Sequence, residues 1–504
     1  MRSDLFSFQR ALFVIAFLCS AAIATRAQMA AGSTVVLPGG AGGSSGSQST
    51  GGNPSGGSSA PGQAQSSYSG SVPSTAVPGV LSLSLEDALD RGLKQNLGAL
   101  LSSAAINTAR GQRWEQLSAL LPHMSFNPYV DVSQVNLKEF GFSFNAPAGS
   151  GFTIPSVVGP FSYFDARGNL TQQLFNWQSI QNTRAATQRV KESEHTYKDA
   201  RDLVVLAVGY NYLLAIADEA RIQTADAQVK TAQALYQQAR DQVQAGTSPA
   251  IDALRNQVEL QTRQQQLIQA KNDYAIQKLT LARAIGLAPG QEFELTDKSL
   301  YEPFEGITVE EAEKRAYESR SDYQAALEDV RAAEYARKAA TAGHYPTLNF
   351  AADYGVSGQH PDSSHGVMDV RATLNVPIFQ GGQVHGDVLQ AQAQLDQSRE
   401  RLENLRAQID SDIRTALFNI QSASDQVTVA RSNIDLAQQT LTQSRDRFSA
   451  GVTDTVEVVQ AEEQVASANE QYISSLYNFN YAKISLARAL GGAEQGVKQY
   501  FKGH

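Results

Sequence analysis

One scaffold is written twice in this chain of 504 residues, and the duplication limits its folding more than any other feature. Arg240, Ala245, Gly246, Leu281, Ala282, Arg283, Ala284 and Gly286 recur, at a constant offset of 205, as Arg445, Ala450, Gly451, Leu486, Ala487, Arg488, Ala489 and Gly491. Nearer the start of each copy, Glu86, Ala88 and Pro122 return as Glu310, Ala312 and Pro346, 224 positions on, while Leu170 and Phe175 match Leu374 and Phe379 at an offset of 204. The copies therefore differ by about 20 residues between these marks, the first having the longer connection, and insertions of that kind belong in exposed loops. A period near two hundred residues predicts a single body built from a duplicated unit.

Each copy contains helices too long for a globule. No proline occurs from 179 to 244 or from 383 to 449, and both stretches are rich in Ala, Gln, Arg and Leu. At 1.5 Å per residue each spans on the order of 100 Å. Apolar or small residues follow a four-three spacing: Ala225, Val229, Ala232, Tyr236, Ala239, Val243 in the first, and Ala430, Ile434, Ala437, Leu441, Ser444, Phe448 in the second. Each run ends at Ala-Gly (Ala245-Gly246, Ala450-Gly451), where glycine can take the left-handed cap conformation and the chain can reverse. Pro249 suits the first turn of one return helix, and Asp454 offers a capping carboxylate to the other. The second return carries Ala461, Val465, Ala468, Tyr472, Ser475, Phe479, Ala482, Leu486 and Ala489 at the same spacing. Two antiparallel hairpins result, over about 179–286 and 383–491.

Ahead of each hairpin lie two stretches with the period of a strand. Leu348, Phe350, Ala352, Tyr354 and Val356 alternate with Asn349, Ala351, Asp353, Gly355 and Ser357, and Met368, Val370, Ala372, Leu374 and Val376 alternate with Asp369, Arg371, Thr373 and Asn375. In the first copy Phe164, Ala166 and Leu170 alternate with Asp165, Arg167, Asn169 and Thr171, after a weaker strand with Met124, Phe126, Val130 and Val132. The expected spans are 123–134, 163–175, 346–357 and 367–378, the length of a tilted strand crossing a bilayer. The helices already use their seams on one another, so lipid is left to cover the greasy strand faces. Four strands are too few to close a barrel with an apolar exterior and a wet interior, so several chains must join their sheet edges. A soluble sheet on a coiled-coil rod is the alternative, making the chain a periplasmic or surface scaffold or adhesin.

The flanks of the repeat say less. Arg2 and Arg10 precede the apolar run Ala11 to Ile23, followed by small residues suited to cleavage, which marks 1–27 as a secretory signal peptide. Cys19, the sole cysteine, lies inside it after Ala16-Phe17-Leu18, a poor context for lipidation, so the mature chain has no disulfide chemistry. From 28 to 80 the chain is Gly, Ser, Pro and Gln, and is expected to be a disordered tether. The net charge of −9, with Lys and Arg dispersed, gives no basic field for nucleic acid.

From about Leu81 to Gly491 the arrangement resembles the TolC-like outer membrane efflux proteins. The residues that carry the resemblance are Ser84-Leu85-Glu86-Asp87-Ala88 and Thr308-Val309-Glu310-Glu311-Ala312, which open the copies, Val376-Pro377-Ile378-Phe379-Gln380-Gly381-Gly382 after the last strand, and the two Ala-Gly reversals. The resemblance implies an α plus transmembrane β fold: a homotrimer whose twelve-strand outer membrane β-barrel continues into a twelve-helix periplasmic α-barrel. It implies a passive export conduit of a tripartite efflux or type I secretion system, with outer membrane lipid, a periplasmic adaptor (membrane fusion) protein and an inner membrane RND or ABC-type transporter as partners. The tips Ala245, Gly246, Thr247 and Ala450, Gly451, Val452 become adaptor contacts, and Asp252 and Glu457 acidic positions of the periplasmic entrance, Glu457 part of a ring that attracts cations. Acidic residues there also suit the helix dipole. Gate positions fall on Phe448, Thr453 and Gln460, where the family's tyrosine and arginine lock and second ring acid are not matched, so a single acidic ring and weaker contacts are expected. The loop with Phe140, Phe142, Phe144, Phe152 and Phe161 is assigned to the cell exterior, over the barrel mouth or as extensions of the strands.

No constellation asks for catalysis, a cofactor or a metal. His360 and His365 flank Pro361-Asp362-Ser363-Ser364 in the other loop, but no further ligand cluster accompanies them. His123, His195, His344 and His385 have no visible nucleophile or acid partner. The expected domains are 81–286 and 308–491 for the two repeats, 287–307 for an equatorial segment between them, and 492–504 for a C-terminal tail.

Overall fold

The structure, a computed structural model, describes residues 68, 70–76, 78–141, 155–297, 304, 306–453, 455–494 and 496. The signal peptide, the tether up to 67, Phe142, Phe144, Phe152, Asp454 and most of the tail lie outside the described residues.

Two long helices dominate the chain: α3 (Trp177–Gln244, 68 residues) and α7 (Gln383–Ser449, 67 residues). Asn176 starts α3 by accepting a hydrogen bond from Ser179 N at 3.1 Å. Their partners are α4 (Ala250–Ile285) and α8 (Thr455–Ala489), and the four lie side by side in the order α4–α3–α8–α7. Small residues fill the seams near the tips, where Ala225, Ala232, Ala239, Ala430, Ala437 and Ser444 are buried. Higher on α7 the same stripe holds Leu395, Leu402, Ile409, Ile413, Ile420 and Val427, so the heptad pattern tracks the packing throughout. One window of α3 is long and apolar enough to cross a membrane on composition alone, but 61% of it is buried within the chain. Val204, Val205, Val208 and Tyr212 in that region are core residues, packed with Leu281, Ile285, Leu89 and Leu93.

Two helix pairs are wedged against these long helices. They are α1 (Leu85–Gln95) with α2 (Leu97–Ser118), and α5 (Val309–Ser319) with α6 (Ser321–Thr341). The paired motifs that open the copies are their N-caps. Ser84 forms a capping box with Asp87, and Thr308 accepts from Glu311 N at 3.3 Å. Ala88 and Ala312 then point into the core with no exposed surface. α2 packs on α3, and α6 packs on both α3 and α7, so at this level the order is α2–α3–α6–α7.

The segment joining the copies builds a small parallel sheet at the waist. β1 (Leu81–Leu83) pairs with β4 (Phe293–Leu295), with Leu81 opposite Phe293. Tyr212 ties it to α3, its single hydroxyl proton shared between two acceptors, Leu83 O at 3.0 Å and Asp297 Oδ2 at 2.9 Å. The end of the expected tether is ordered, which corrects that expectation for its last residues. Val72 N donates to Gln95 O, Ser74 N to Gly286 O, and Leu97 N to Gly70 O. Tyr68 packs against the core, and its carbonyl accepts from the buried Asn96. Partners in secondary structure and a half-buried tyrosine are what the Gly/Ser composition concealed.

The remaining strands form one antiparallel sheet in the order β2–β3–β5–β6: β2 (His123–Asn136), β3 (Val157–Phe175), β5 (Thr347–Gly358) and β6 (His365–Asn375). β3 begins six residues before the expected span and β2 ends two after it. Val135 opposite Val158 and Asn136 opposite Val157 extend the hairpin, so strand takes up part of the first copy's insertion. β6 stops at Asn375, and Val376 to Phe379 leave the sheet with Ile378 97% exposed.

Candidate functional site

Register puts one chemistry on each side of this sheet. Met124, Leu170, Ala352 and Val370 form one cross-strand row, and Phe126, Gly168, Tyr354 and Met368 the next. Among the described residues nothing covers this face: Met124 is 82% exposed, Met368 73% and Tyr354 72%. The opposite face carries Ser125, Asn169, Asp353 and Asp369 in one row and Tyr129, Asp165, Ser357 and His365 in another. Arg167 reaches Asp165 at 2.7 Å and Asp353 at 3.1 Å, and Tyr163 donates to Asp165 at 2.8 Å. β2 and β6 are the two edges of the sheet, and each is paired on one side only. His360 Nδ1 lies 3.2 Å from Ser162 Oγ, and among the described residues no group of three or more His, Cys, Asp or Glu is placed to hold a metal.

At the other end, both tips are the same hydrogen-bonded reversal. Gly246 (φ +74) and Gly451 (φ +70) follow Ala245 and Ala450. Gly246 N donates to Val243 O and Thr247 N to Gln242 O, and Gly451 N to Phe448 O and Val452 N to Arg447 O. These paired bonds close the last carbonyls of α3 and α7 in the Schellman pattern. Pro249 takes the N-cap of α4, one place before the first turn, and supplies no side-chain bond.

The acidic tip positions have partners inside their own hairpins. Glu457 pairs with Arg447 at 3.3 Å, and its carboxylate also accepts from the Thr453 hydroxyl and from Ser444 Oγ at 3.4 Å. Asp252 lies 3.7 Å from Arg255. Gln460 is exposed. Phe448 faces the space between the hairpins: with Val458 it lines a narrow gap bordered on the other side by Leu235, Ala239 and Asn256. Of these two positions, Phe448 thus lies between the hairpins and Thr453 bonds within its own.

Charged residues missed in the sequence sit just above. Arg445 pairs with Glu462 at 2.9 Å, and Arg263, itself buried, with Glu259 at 2.6 Å. Burial pushes the Glu462 carboxyl up, against the pull of Arg445. At the waist Arg488 joins Asp199 of α3 to the α5–α6 joint, where Arg320 holds Asp322 at 2.7 Å and Asp412 at 3.2 Å. Burial raises both Asp199 and Asp202, which Arg488 opposes. No local motif announces these pairs, because their members are far apart in the chain or spaced like any solvated helix pair.

A sheet that is greasy outside and polar inside, continued by helical hairpins about 100 Å long, defines the class of outer membrane channel-tunnel folds. The chain belongs to the outer membrane efflux protein family, whose sequence model matches residues 159–287 and 313–492. It is 28% identical over 197 residues to outer membrane protein TolC of Escherichia coli (strain K12), a match covering 36% of this chain and 39% of TolC. It is 20% identical over 323 residues to the alkaline protease secretion protein AprF of Pseudomonas aeruginosa, covering 62% of this chain and 66% of AprF. Among solved structures, CusC superposes with a TM-score of 0.70 at 18% identity, covering 83% of this chain and 95% of that one. The open-state MtrE outer membrane channel of Neisseria gonorrhoeae gives 0.68 at 17% identity, covering 81% and 89%. These likenesses bear out the fold expected from the repeat.

Proposed function

We propose that this chain is the outer membrane channel of a tripartite efflux or type I secretion system, a passive conduit across periplasm and outer membrane. Three copies close their sheets into a twelve-strand barrel and their hairpins into a twelve-helix tunnel. One observation carries the reading: a four-stranded sheet whose edges β2 and β6 each have an open side and whose apolar face none of the described residues covers. Lipid satisfies the face, and neighbouring copies satisfy the edges, because bilayers tolerate strands only in closed barrels.

The tips Ala245 to Thr247 and Ala450 to Val452 project furthest from the sheet along the hairpins, and this reading gives them to a periplasmic adaptor. An inner membrane transporter of RND or ABC type supplies the energy, and the chain itself carries no catalytic role. Phe448 holds the resting entrance by an apolar contact in place of a polar lock, with Glu457 as the single acidic ring position.

Reconstitution of the purified mature chain in planar bilayers tests the proposal. A detergent-dependent oligomer with stepwise ion conductance, raised by a cognate adaptor, is expected. A chain that extracts without detergent and conducts nothing is a scaffold, and overturns it.

A further inference from the structure

The polar face of the sheet carries an unbalanced set of charges. Asp131 on β2, Asp165 and Arg167 on β3, Asp353 on β5, and Asp369 and Arg371 on β6 all share it by register. Arg371 and Asp369 pair at 3.1 Å and cancel. Arg167 does not cancel its neighbours, because its one guanidinium lies between two carboxylates, Asp165 and Asp353. That triad keeps one negative charge. Asp131, exposed, belongs to no ion pair among the described residues and adds another. Lys138 and Glu139 offset each other beyond the end of β2, and Asp362 in the β5–β6 connection adds to the same sign.

We propose that this face is a charge filter in the outer part of the conduit, favouring cationic over anionic solutes, with Asp131 and the Arg167–Asp165–Asp353 triad setting the preference. The inference rests on the conduit reading and adds a second, outer determinant to the entrance position Glu457. Every chain that joins the cylinder brings the same excess to one lumen, where fixed charges of a single sign raise the local concentration of counter-ions. Arg167 moderates the filter. Asp165 is almost wholly buried against the wall and Asp353 is partly so, and the shared guanidinium holds both away from passing ions.

Reversal potentials of the full-length channel across a KCl gradient test it, kept below about 0.1 M on the dilute side, where the Debye length is about 10 Å or more. Asp131→Asn should lower the ratio of potassium to chloride permeability by about a third to a half, and Arg167→Gln should raise it about twofold, if fixed wall charge sets selectivity. Both shifts should persist in a Glu457→Gln background, since the entrance acts in series. Asp131 is exposed, so its variant keeps the test meaningful even where Arg167→Gln strands the buried Asp165 and fails to fold. An unchanged ratio in a conducting Asp131→Asn channel overturns the filter and leaves the conduit standing. A wild-type chain that conducts nothing overturns the conduit, and the filter with it.

Discussion

Two glycines of the repeat show how much one missing Cβ decides. Gly491 ends α8 with φ +85, and a Cβ placed there would lie 2.7 Å from Ser319 C and from Arg320 Cα, inside the α5–α6 joint. Its counterpart Gly286 (φ +70) meets the α1–α2 joint in the same way, 2.8 Å from Val72 O and 2.6 Å from Gln95 Cβ. The recurring Leu-Ala-Arg-Ala-x-Gly is therefore a docking site for a helix joint, once per copy. Gly451 has a similar φ with nothing within 4 Å. Gly451→Ala should thus cost only the left-handed backbone term, about 1–2 kcal/mol. Gly491→Ala must also displace the backbone around buried Arg320, and should lower the apparent melting temperature in detergent by several degrees more. Equal losses in the two variants would show that the joint yields freely and that the close approach has no energetic weight. The sequence marks both glycines as repeat positions, but it does not separate the crowded one from the open one, because the crowding comes from residues more than 170 positions away.

Among the elements, those with long periodicity were readable and those without it were not. α3, α7 and their returns show a seam over many heptads, and β5 and the part of β6 from Met368 onward alternate, so their patterns hold far more independent positions than a chance match would. β1 and β4 are three residues each and pair across 212 positions, leaving no local period to detect. β2 blurs because Pro128 interrupts its greasy row, a residue tolerated on an edge strand. Alternation on β6 also makes a contrast within one strand testable. Met368 stands on the uncovered face and Thr373 on the polar one, opposite Asn349. Met368→Lys should cost about 2–4 kcal/mol of barrel stability, the penalty for a lysine near the bilayer midplane, while Thr373→Lys should be nearly neutral. Urea unfolding in lipid vesicles would measure both. Equal tolerance of lysine at the two positions would mean that the greasy face does not meet lipid.

For the whole molecule the decisive question is what lies beyond β6. In an antiparallel edge strand successive residues point their backbone N–H groups alternately toward the inner neighbour and away from it. Ala372 faces Phe350 and Thr373 faces Asn349 on β5, so of these two adjacent residues one donates inward and the other toward open space or toward another chain. Proline removes the donor, and on a free edge the outward position accepts it readily. If β6 were free, one of Ala372→Pro and Thr373→Pro would leave the protein unaffected. In a closed trimer neither position is free. The inward proline breaks the β5 ladder, and the outward one breaks a bond between chains, each lost bond costing about 0.5–1.5 kcal/mol plus the clash of the ring. Because symmetry repeats the defect at all three junctions, the loss should appear as dissociation: light scattering in detergent should show both variants with a diminished trimer fraction against wild type. A wild-type protein that scatters as a monomer, or a variant pair with one silent member, would leave the edge of this sheet open and remove the closed cylinder on which an aqueous path through the membrane depends.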